Sequence, residues 1–301
     1  MNKKELLGNK INFTLFVTVN GANPNGDPLE SNRPRTDIDG FGFMTQECIK
    51  RKLRNRLQND GKNVLLQNPE LDNFDGFSTT RQRVEDDAYL LEMMKSLAKK
   101  SSKDKKEENA PAKKASKQEF NRAVCEKWID VRLFGGVFAY KLSEGGFSSG
   151  IRGAVSFTTA KSIDVVDIDS MQITKIQPAE EERESDTMGM RHVVPFAVYK
   201  LTGSIDVQIA QHNGVTVEDV DAFKHALLTL FQNDISSARP DGSMSVSRLY
   251  WWEHKEALPA ATTAKINEAF SIERVAENKR FDDYKIDWQL DNCVEPEVID
   301  L

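Results

Sequence analysis

Ile11-Asn-Phe-Thr-Leu-Phe-Val-Thr-Val-Asn20 decides how the rest of the chain is read. Ile11, Phe13, Leu15, Val17 and Val19 alternate with Asn12, Thr14, Phe16, Thr18 and Asn20, the period of two that marks a half-buried strand. One face is expected in the core; the other is polar with a single aromatic. Asn20-Gly-Ala-Asn-Pro-Asn-Gly-Asp-Pro28 follows, and so many turn formers forbid continuation as strand or helix, so an ordered or functional loop is expected there.

Working outward, Thr45 can cap a helix whose Ile49, Leu53 and Leu57 fall on one stripe. At 100° per residue Lys50, Arg51 and Arg54 lie about 100 to 200° around from Ile49, which predicts that these basic residues face away from the core. Helices are expected around Asp86 to Ala98 and Gln118 to Trp128. Strand character returns over Ile151 to Thr159 and Val193 to Ile209, where Pro195 and Gly203 mark an edge or a break. Residues 160 to 192, with the acidic run Glu180 to Glu184, read as a projecting hairpin. Thr216, with Asp219 three residues on, opens a helix with the stripe Val220, Phe223, Leu227 and Leu230, and Val246 to Glu253 reads as a last strand. The order strand, helix, strand, strand, helix, strand is the split βαβ, ferredoxin-like pattern, an α+β fold with long insertions.

With 301 residues, 39% hydrophobic and 29% charged, the chain can bury one large or two modest cores. No run approaches the roughly 18 apolar residues of a membrane span, and Met1 to Glu5 lacks the start of a signal peptide, so a cytoplasmic protein without a membrane partner is expected. Cys48, Cys125 and Cys293 form no CxxC pair and suit a reducing compartment as ordinary half-buried thiols. The formal charge of −6 does not advertise nucleic-acid binding, but it is unevenly spread. Arg33 to Arg56 carries seven basic residues against three acidic, and Lys99 to Lys117 eight lysines against three acids, whereas Lys255 to Leu301 has six basic against eleven acidic. Screening over about 8 Å lets a basic face act independently of a distant acidic tail. Residues 99 to 117 have no large apolar side chain and are expected as a flexible loop.

Familiar chemistries find little footing. Gly145 to Gly150 has the glycine spacing of a phosphate loop, but Ile151 and Arg152 stand where lysine and a hydroxyl are needed. Asn12-Phe-Thr14 is a glycosylation sequon inside a strand, hence chance. His192, His212, His225 and His254 show no metal-ligand spacing, and Asp164, Asp167 and Asp169 read as a solvated loop. There is no Gly-x-Ser-x-Gly elbow. No cofactor, metal or catalytic residue is assigned. The basic Arg33 to Arg56 segment remains: its charges can supply salt-dependent affinity for a phosphate backbone, while Thr45, Gln46 and loop amides fix register.

Asn23-Pro-Asn-Gly-Asp-Pro28, Asn32-Arg-Pro-Arg-Thr-Asp37, Gly42-Phe-Met44 and Ile49-Lys-Arg-Lys-Leu-Arg54 together resemble the Csd-type, Cas-seven family backbone subunits of the type I-C CRISPR Cascade, in the RAMP superfamily. Asp130-Val-Arg-Leu-Phe-Gly135, Ile151-Arg-Gly153, Thr187-Met-Gly189 and Ala238-Arg239 extend the resemblance over nearly the whole chain. It implies an RRM-like palm built from 1–61, 141–159 and 193–254, a helical finger insertion over 62–140, a thumb hairpin over 160–192 and an acidic extension over 255–301 that packs on the palm. It implies a noncatalytic subunit whose copies stack along one guide RNA (crRNA) with other Cascade subunits and leave bases free to pair with a target DNA strand. By the same resemblance Arg33, Arg35, Thr45, Gln46, Lys50 and Arg54, joined by Asn20, Arg51 and Arg152, bind the RNA. Met188, Met190 and Arg191 belong to the thumb that displaces a base, and Met190 or Met188 can equally pack on a neighbouring subunit. The enzyme alternative is a metal-dependent RNase using Asp27, Asp37 or Asp39, since related subunits of other CRISPR types cleave RNA with an aspartate in this loop. Processing of guide precursors would want an acid-base residue, and the resemblance gives that task to another subunit.

Overall fold

The computed structural model describes residues 5–102, 116–174 and 188–301. Strand β1 (Ile11–Ala22) forms where the alternation places it. The loop beyond it is ordered by two short paired strands, β2 (Gly26–Asp27) and β3 (Arg33–Pro34), and β4 (Phe41–Met44) leads into helix α1 (Gln46–Asn59). The Thr45 hydroxyl accepts from the Cys48 N–H at 3.2 Å, the expected cap, and Ile49, Leu53 and Leu57 are fully buried.

An inserted unit follows, with α2 (Thr80–Glu85), α3 (Ala88–Ser102), α4 (Lys117–Lys127), α5 (Ile129–Phe134) and the hairpin of β5 (Gly135–Leu142) and β6 (Gly145–Arg152). It has a core of its own, in which Leu65, Val84, Met94, Phe120, Val124, Trp128, Phe138 and Phe147 pack together. Two corrections arise here. The strand expected from Ile151 to Thr159 is broken: Ile151 and Arg152 end β6, inside the inserted unit, while β7 (Val155–Phe157) belongs to the main sheet. At the break the chain passes so close to the backbone of Phe134 and Gly135 that a Cβ at position 153 would collide with it, so this position needs glycine. The loop expected over 99–117 is shorter at both ends, since α3 runs to Ser102 and Ser116 caps α4; its middle lies outside the described residues.

The main sheet adds β8 (Ala160–Val165), β9 (Asp169–Thr174), β10 (Met188–Ile205), α6 (Val207–Asn213), α7 (Val217–Leu228) and β11 (Met244–Glu253). After α8 (Thr263–Glu268) and the hairpin of β12 (Phe270–Arg274) and β13 (Tyr284–Trp288), β14 (Glu297–Asp300) closes one edge. The strand order is β14-β11-β1-β10-β8-β4, every pair antiparallel, which makes this a mixed α+β fold on an antiparallel sheet. Helices α1 and α7 cover one face, where Phe13, Leu15, Leu53, Phe223, Leu227 and Trp251 meet in the largest core. The capping box of Thr216 and Asp219 starts α7 as its sequence predicts.

Four further expectations change. β10 does not break at Pro195 or Gly203. Pro195 lies where the strand passes from β9 to β1, and Gly203 is needed because a Cβ there would meet the Phe13 ring. The strand ends at Ile205, and Asp206 caps α6, so Ile209 is helical. The projecting hairpin begins only at β9, because Ala160–Val165 is β8, paired with β10 and β4. Last, the second face of β1 is not open. Phe16, Val198, Tyr250 and Trp252 are covered by Ile266, Phe270, Tyr284 and Ile286 from the C-terminal segment, and Asn12 and Thr14 are buried with them. Asn12 donates to Thr263 Oγ1 at 3.0 Å and pairs with His254 Nε2 at 2.9 Å, which offsets the cost of burying its amide. Among the described residues no helix is long and apolar enough to cross a membrane.

Candidate nucleic-acid interface

The loop after β1 is held as a rigid platform by its own asparagines. Asn23 donates to the Asn32 carbonyl at 2.6 Å, Asn25 Oδ1 accepts from the Thr45 N–H at 2.9 Å, and the Asn20 N–H donates to Ser243 O at 2.8 Å. Ser31 and Asn32 take the left-handed conformation that turns the chain back into β3. That turn projects Arg33, exposed, toward the β9–β10 hairpin, where its guanidinium donates to Ser170 Oγ at 3.2 Å. Ser170 Oγ in turn lies 2.8 Å from His192 Nδ1 across the hairpin. Beside this chain Arg35 pairs with Asp27 at 2.9 Å. On the hairpin itself Met190 is 52% exposed, and Arg191 keeps a buried Nε without a partner. The structure therefore brings Asn20, Arg33, Arg35, Thr45, Gln46, Met190 and Arg191 to one end of the sheet. Met188 stands on the same strand, and its side chain is outside the described set.

Lys50 lies one turn into α1, half-buried with its ammonium 5.9 Å from the Phe157 ring centre. Burial pulls its pKa below the ordinary lysine value, against the opposing pull of Glu47. Among the described residues no carboxylate is bonded to it.

The remaining predicted residues go elsewhere. Arg54 does not face away from the packed surface: its Nε donates to the fully buried Asp130 at 2.9 Å and its guanidinium stacks 5.2 Å from Phe134. Asp130 also accepts from the Leu65 N–H at 2.6 Å and the Leu66 N–H at 3.3 Å, so this ion pair joins α1 to the inserted unit. Arg51 is exposed but donates to the carbonyls of Leu66 and Gln67 at 3.3 and 3.4 Å, which turns it toward the same junction. Arg152, at the end of β6, lines a cleft at the other end of β10.

The sequence reading missed three residues at the loop end. Asp234 accepts from both Lys52 and Arg239 and ties α1 to the segment before β11. Lys52 is 5% exposed, and burial lowers its pKa. Its place three residues after Ile49, beside the apolar stripe, was the available signal. Lys161 is the third: it meets Asp37 at 2.7 Å, and that hydrogen bond holds the Asp37 carboxyl below its ordinary range.

The aspartates of the nuclease alternative are engaged in the loop's own structure. Asp27 accepts from the Leu29 N–H at 3.0 Å as well as from Arg35, and Asp37 accepts from the N–H groups of Asp39 and Phe41 at 3.1 and 2.9 Å. Among the described residues no group of three or more His, Cys, Asp or Glu could hold a metal ion. The loop end thus holds Asp27, Asp37 and Asp234 in pairs with Arg35, Lys161, Lys52 and Arg239, while Arg33 stands exposed with a serine as its bonded neighbour.

Comparison with known proteins gives three findings. The family model described as CRISPR-associated protein Cas7 matches residues 9–289. A CRISPR-associated protein Cas7 of Haloferax volcanii is 24% identical over 261 residues, covering 79% of this chain and 66% of the relative, so the chain spans slightly less than two thirds of that protein's length. A chain in a solved "CRISPR RNA-guided surveillance complex, pre-nicking" is similar at a TM-score of 0.47 and 13% identity, over 80% of this chain and 77% of that one. A second, in a "CRISPR RNA-guided surveillance complex", gives 0.40 and 15%, over 80% and 68%.

Proposed function

The chain belongs to the Cas7 family of CRISPR-associated proteins, and from that premise we propose that it is a noncatalytic guide-RNA-binding subunit whose copies stack along the guide to form the backbone of a type I-C Cascade. In this reading β1, α1, β7, β8, β10, α7 and β11 are an RRM-like, ferredoxin-like palm. The inserted unit is the fingers, and the β9–β10 hairpin is the thumb. The observation that carries the reading is the Arg33–Ser170–His192 connection, which sets the basic loop and the hairpin side by side at the end of the sheet.

A guide strand crossing there meets Arg33 and Arg35 with its phosphates and the platform's amide and hydroxyl groups with its sugars, and Lys50, beside Phe157 farther along the sheet, offers it a further cation. Such contacts fix the position of the strand and carry no sequence information, which a subunit serving any guide requires. Met190, apolar and half exposed at the hairpin, is placed to wedge between bases, so that the strand is presented in short segments for pairing with target DNA. The C-terminal segment already covers the sheet face that RRM domains use for stacking bases, so the strand is directed to the loop end instead. No specific observation favours the nuclease alternative.

The test is to express the chain with the other subunits of its complex and extract nucleic acid from the purified assembly. RNA of discrete length is expected, and an assembly free of RNA would overturn the proposal. Replacing both Arg33 and Arg191 by Glu should remove the RNA while circular dichroism stays unchanged.

A further inference from the structure

The contact between the loop and the hairpin has a direction, set by where its protons lie. Pairing in the hairpin puts Ser170 across from His192 and Gln172 across from Met190, so these four side chains share one face. Asp169, Met171, Ile173 and Arg191 belong to the other face. Arg33 reaches the first face from β3 and donates to Ser170 Oγ at 3.2 Å. A guanidinium has donors and no acceptor, so the serine oxygen must receive this bond. The set is completed when the hydroxyl gives its single proton to His192 Nδ1, 2.8 Å away. That nitrogen accepts only in a neutral imidazole whose own proton is on Nε2. Guanidinium, hydroxyl and imidazole thus form a chain of donors that runs from the loop across the hairpin.

A proton added to His192 reverses part of that chain. Nδ1–H becomes a donor, Ser170 Oγ accepts from both sides, and the hydroxyl proton turns outward. Imidazolium and guanidinium then stand no more than about 6 Å apart, because both touch one oxygen, and they repel. Arg33 is the charged group that meets this face; Asp169 and Arg191 project from the other, and among the described residues no carboxylate is bonded to His192. A phosphate lying against Arg33 changes the balance. It attracts both cations and takes a bond from the outward hydroxyl, so it favours the protonated ring that the empty site disfavours.

We propose that Ser170 and His192 are positioning residues of the guide site, which hold Arg33 against the Met190 face of the hairpin and couple binding of an RNA phosphate to a proton on His192. The inference rests on the function proposed above and adds to it a dependence on pH. Imidazoles exchange their proton between about pH 5 and 8. A strand that binds the protonated form more tightly takes up a proton as it binds, so affinity rises as pH falls.

The experiment measures the affinity of the full chain for a labelled oligouridylate, whose bases do not titrate near neutrality, from about pH 8 to about pH 5.5 at constant salt. Wild type should bind about three- to fivefold more tightly at the acid end, the gain that an exposed ion pair supplies. His192→Gln can still accept from Ser170 but takes no proton, and its affinity should stay level within about twofold. Ser170→Ala should weaken binding at every pH by removing the oxygen that seats Arg33, and Ser170→Thr, which keeps the hydroxyl, should restore it. Ring-proton NMR of the wild type reads the same proton without relying on a variant's affinity: His192 should take it up at higher pH with oligouridylate bound than without. A wild-type profile that is flat, or equally steep in His192→Gln, overturns the inference. So does a His192 titration that bound RNA leaves unmoved, or Ser170→Ala binding as tightly as wild type. If the wild type binds no RNA at any pH, the function proposed above fails and the positioning roles fall with it, whereas RNA binding without the pH response removes the positioning roles alone.

Discussion

At the junction between the sheet and the inserted unit, Arg54 and Arg132 each meet a buried carboxylate, Asp130 and Asp219; at the loop end of the sheet Arg33 is exposed and meets a serine, and no carboxylate among the described residues pairs with Arg33 or Arg191. The residue types are the same, and burial separates their work. A guanidinium taken out of water must be paired, so the junction arginines are committed to holding two units together. An exposed guanidinium such as that of Arg33 stays hydrated and can exchange water for phosphate at little cost. Lys200 is a third case. It lies under the C-terminal segment, donating to the Asn267 carbonyl at 3.0 Å with the Phe270 ring at 4.2 Å, and among the described residues no carboxylate pairs with it; burial pulls its pKa down to about 8.

Substitutions on α1 press this contrast hardest. Arg54→Glu would set two carboxylates at one buried site, and a loss of at least about 3–5 kcal/mol in urea unfolding is expected. Lys50→Glu, one turn earlier on the same helix, should stay within about 1 kcal/mol of wild type while weakening RNA retention. Equal destabilisation by the two would erase the distinction between junction and rim. Asp130→Ala is the partner test: it strands Arg54 and the N–H groups of Leu65 and Leu66, and should cost about 3–5 kcal/mol by the same measurement.

At the rim the pattern should invert. Arg33→Glu with Arg191→Glu should move the unfolding free energy by no more than about 1 kcal/mol, yet reduce RNA affinity and shrink its salt dependence. A large stability loss in that pair would place Arg191 among the structural arginines.

Lys200→Met should have the smallest effect, and of opposite sign. Below pH 8 the lysine is charged in both folded and unfolded chains, and the folded state bears the full cost of burying it. Between about 8 and 10.5 the folded state has lost the proton and the unfolded state has not, so wild-type stability from this group rises with pH. The variant should therefore melt about 1–3 °C higher at pH 7, with the gap closing toward pH 10.5. A gap independent of pH would mean that packing and not charge sets the difference.

Local signals were the ones that could be read in advance. Alternation over Ile11 to Val19, the cap at Thr45 and the capping box at Thr216 each depend on neighbours within four residues, and each forms as expected. Of the candidate site, Arg33 and Arg35 lie beside the turn formers that project them, and the structure brings Arg33 to the hairpin while Arg35 pairs with Asp27 within the loop. Arg54 and Arg152 sit in equally basic motifs, but their surroundings come from Asp130 and from α6, 76 and 61 residues away. No periodicity within a helix or strand reports on partners at that distance.

By itself the sequence determined where β1, α1 and α7 form and that a loop rich in turn formers and basic residues follows the first strand, because alternation, capping and turn chemistry are short-range; the extents of β7, β8, β10 and α6 were not legible in it. Tertiary structure alone decided which cations are free. It placed a carboxylate beneath Arg54 and Arg132, laid the C-terminal segment over Phe16 and Trp252, and set Arg152 against α6. Whether a charge is available to a ligand depends on its desolvation and its partners, and both are properties of the space around a residue, which only the folded chain defines.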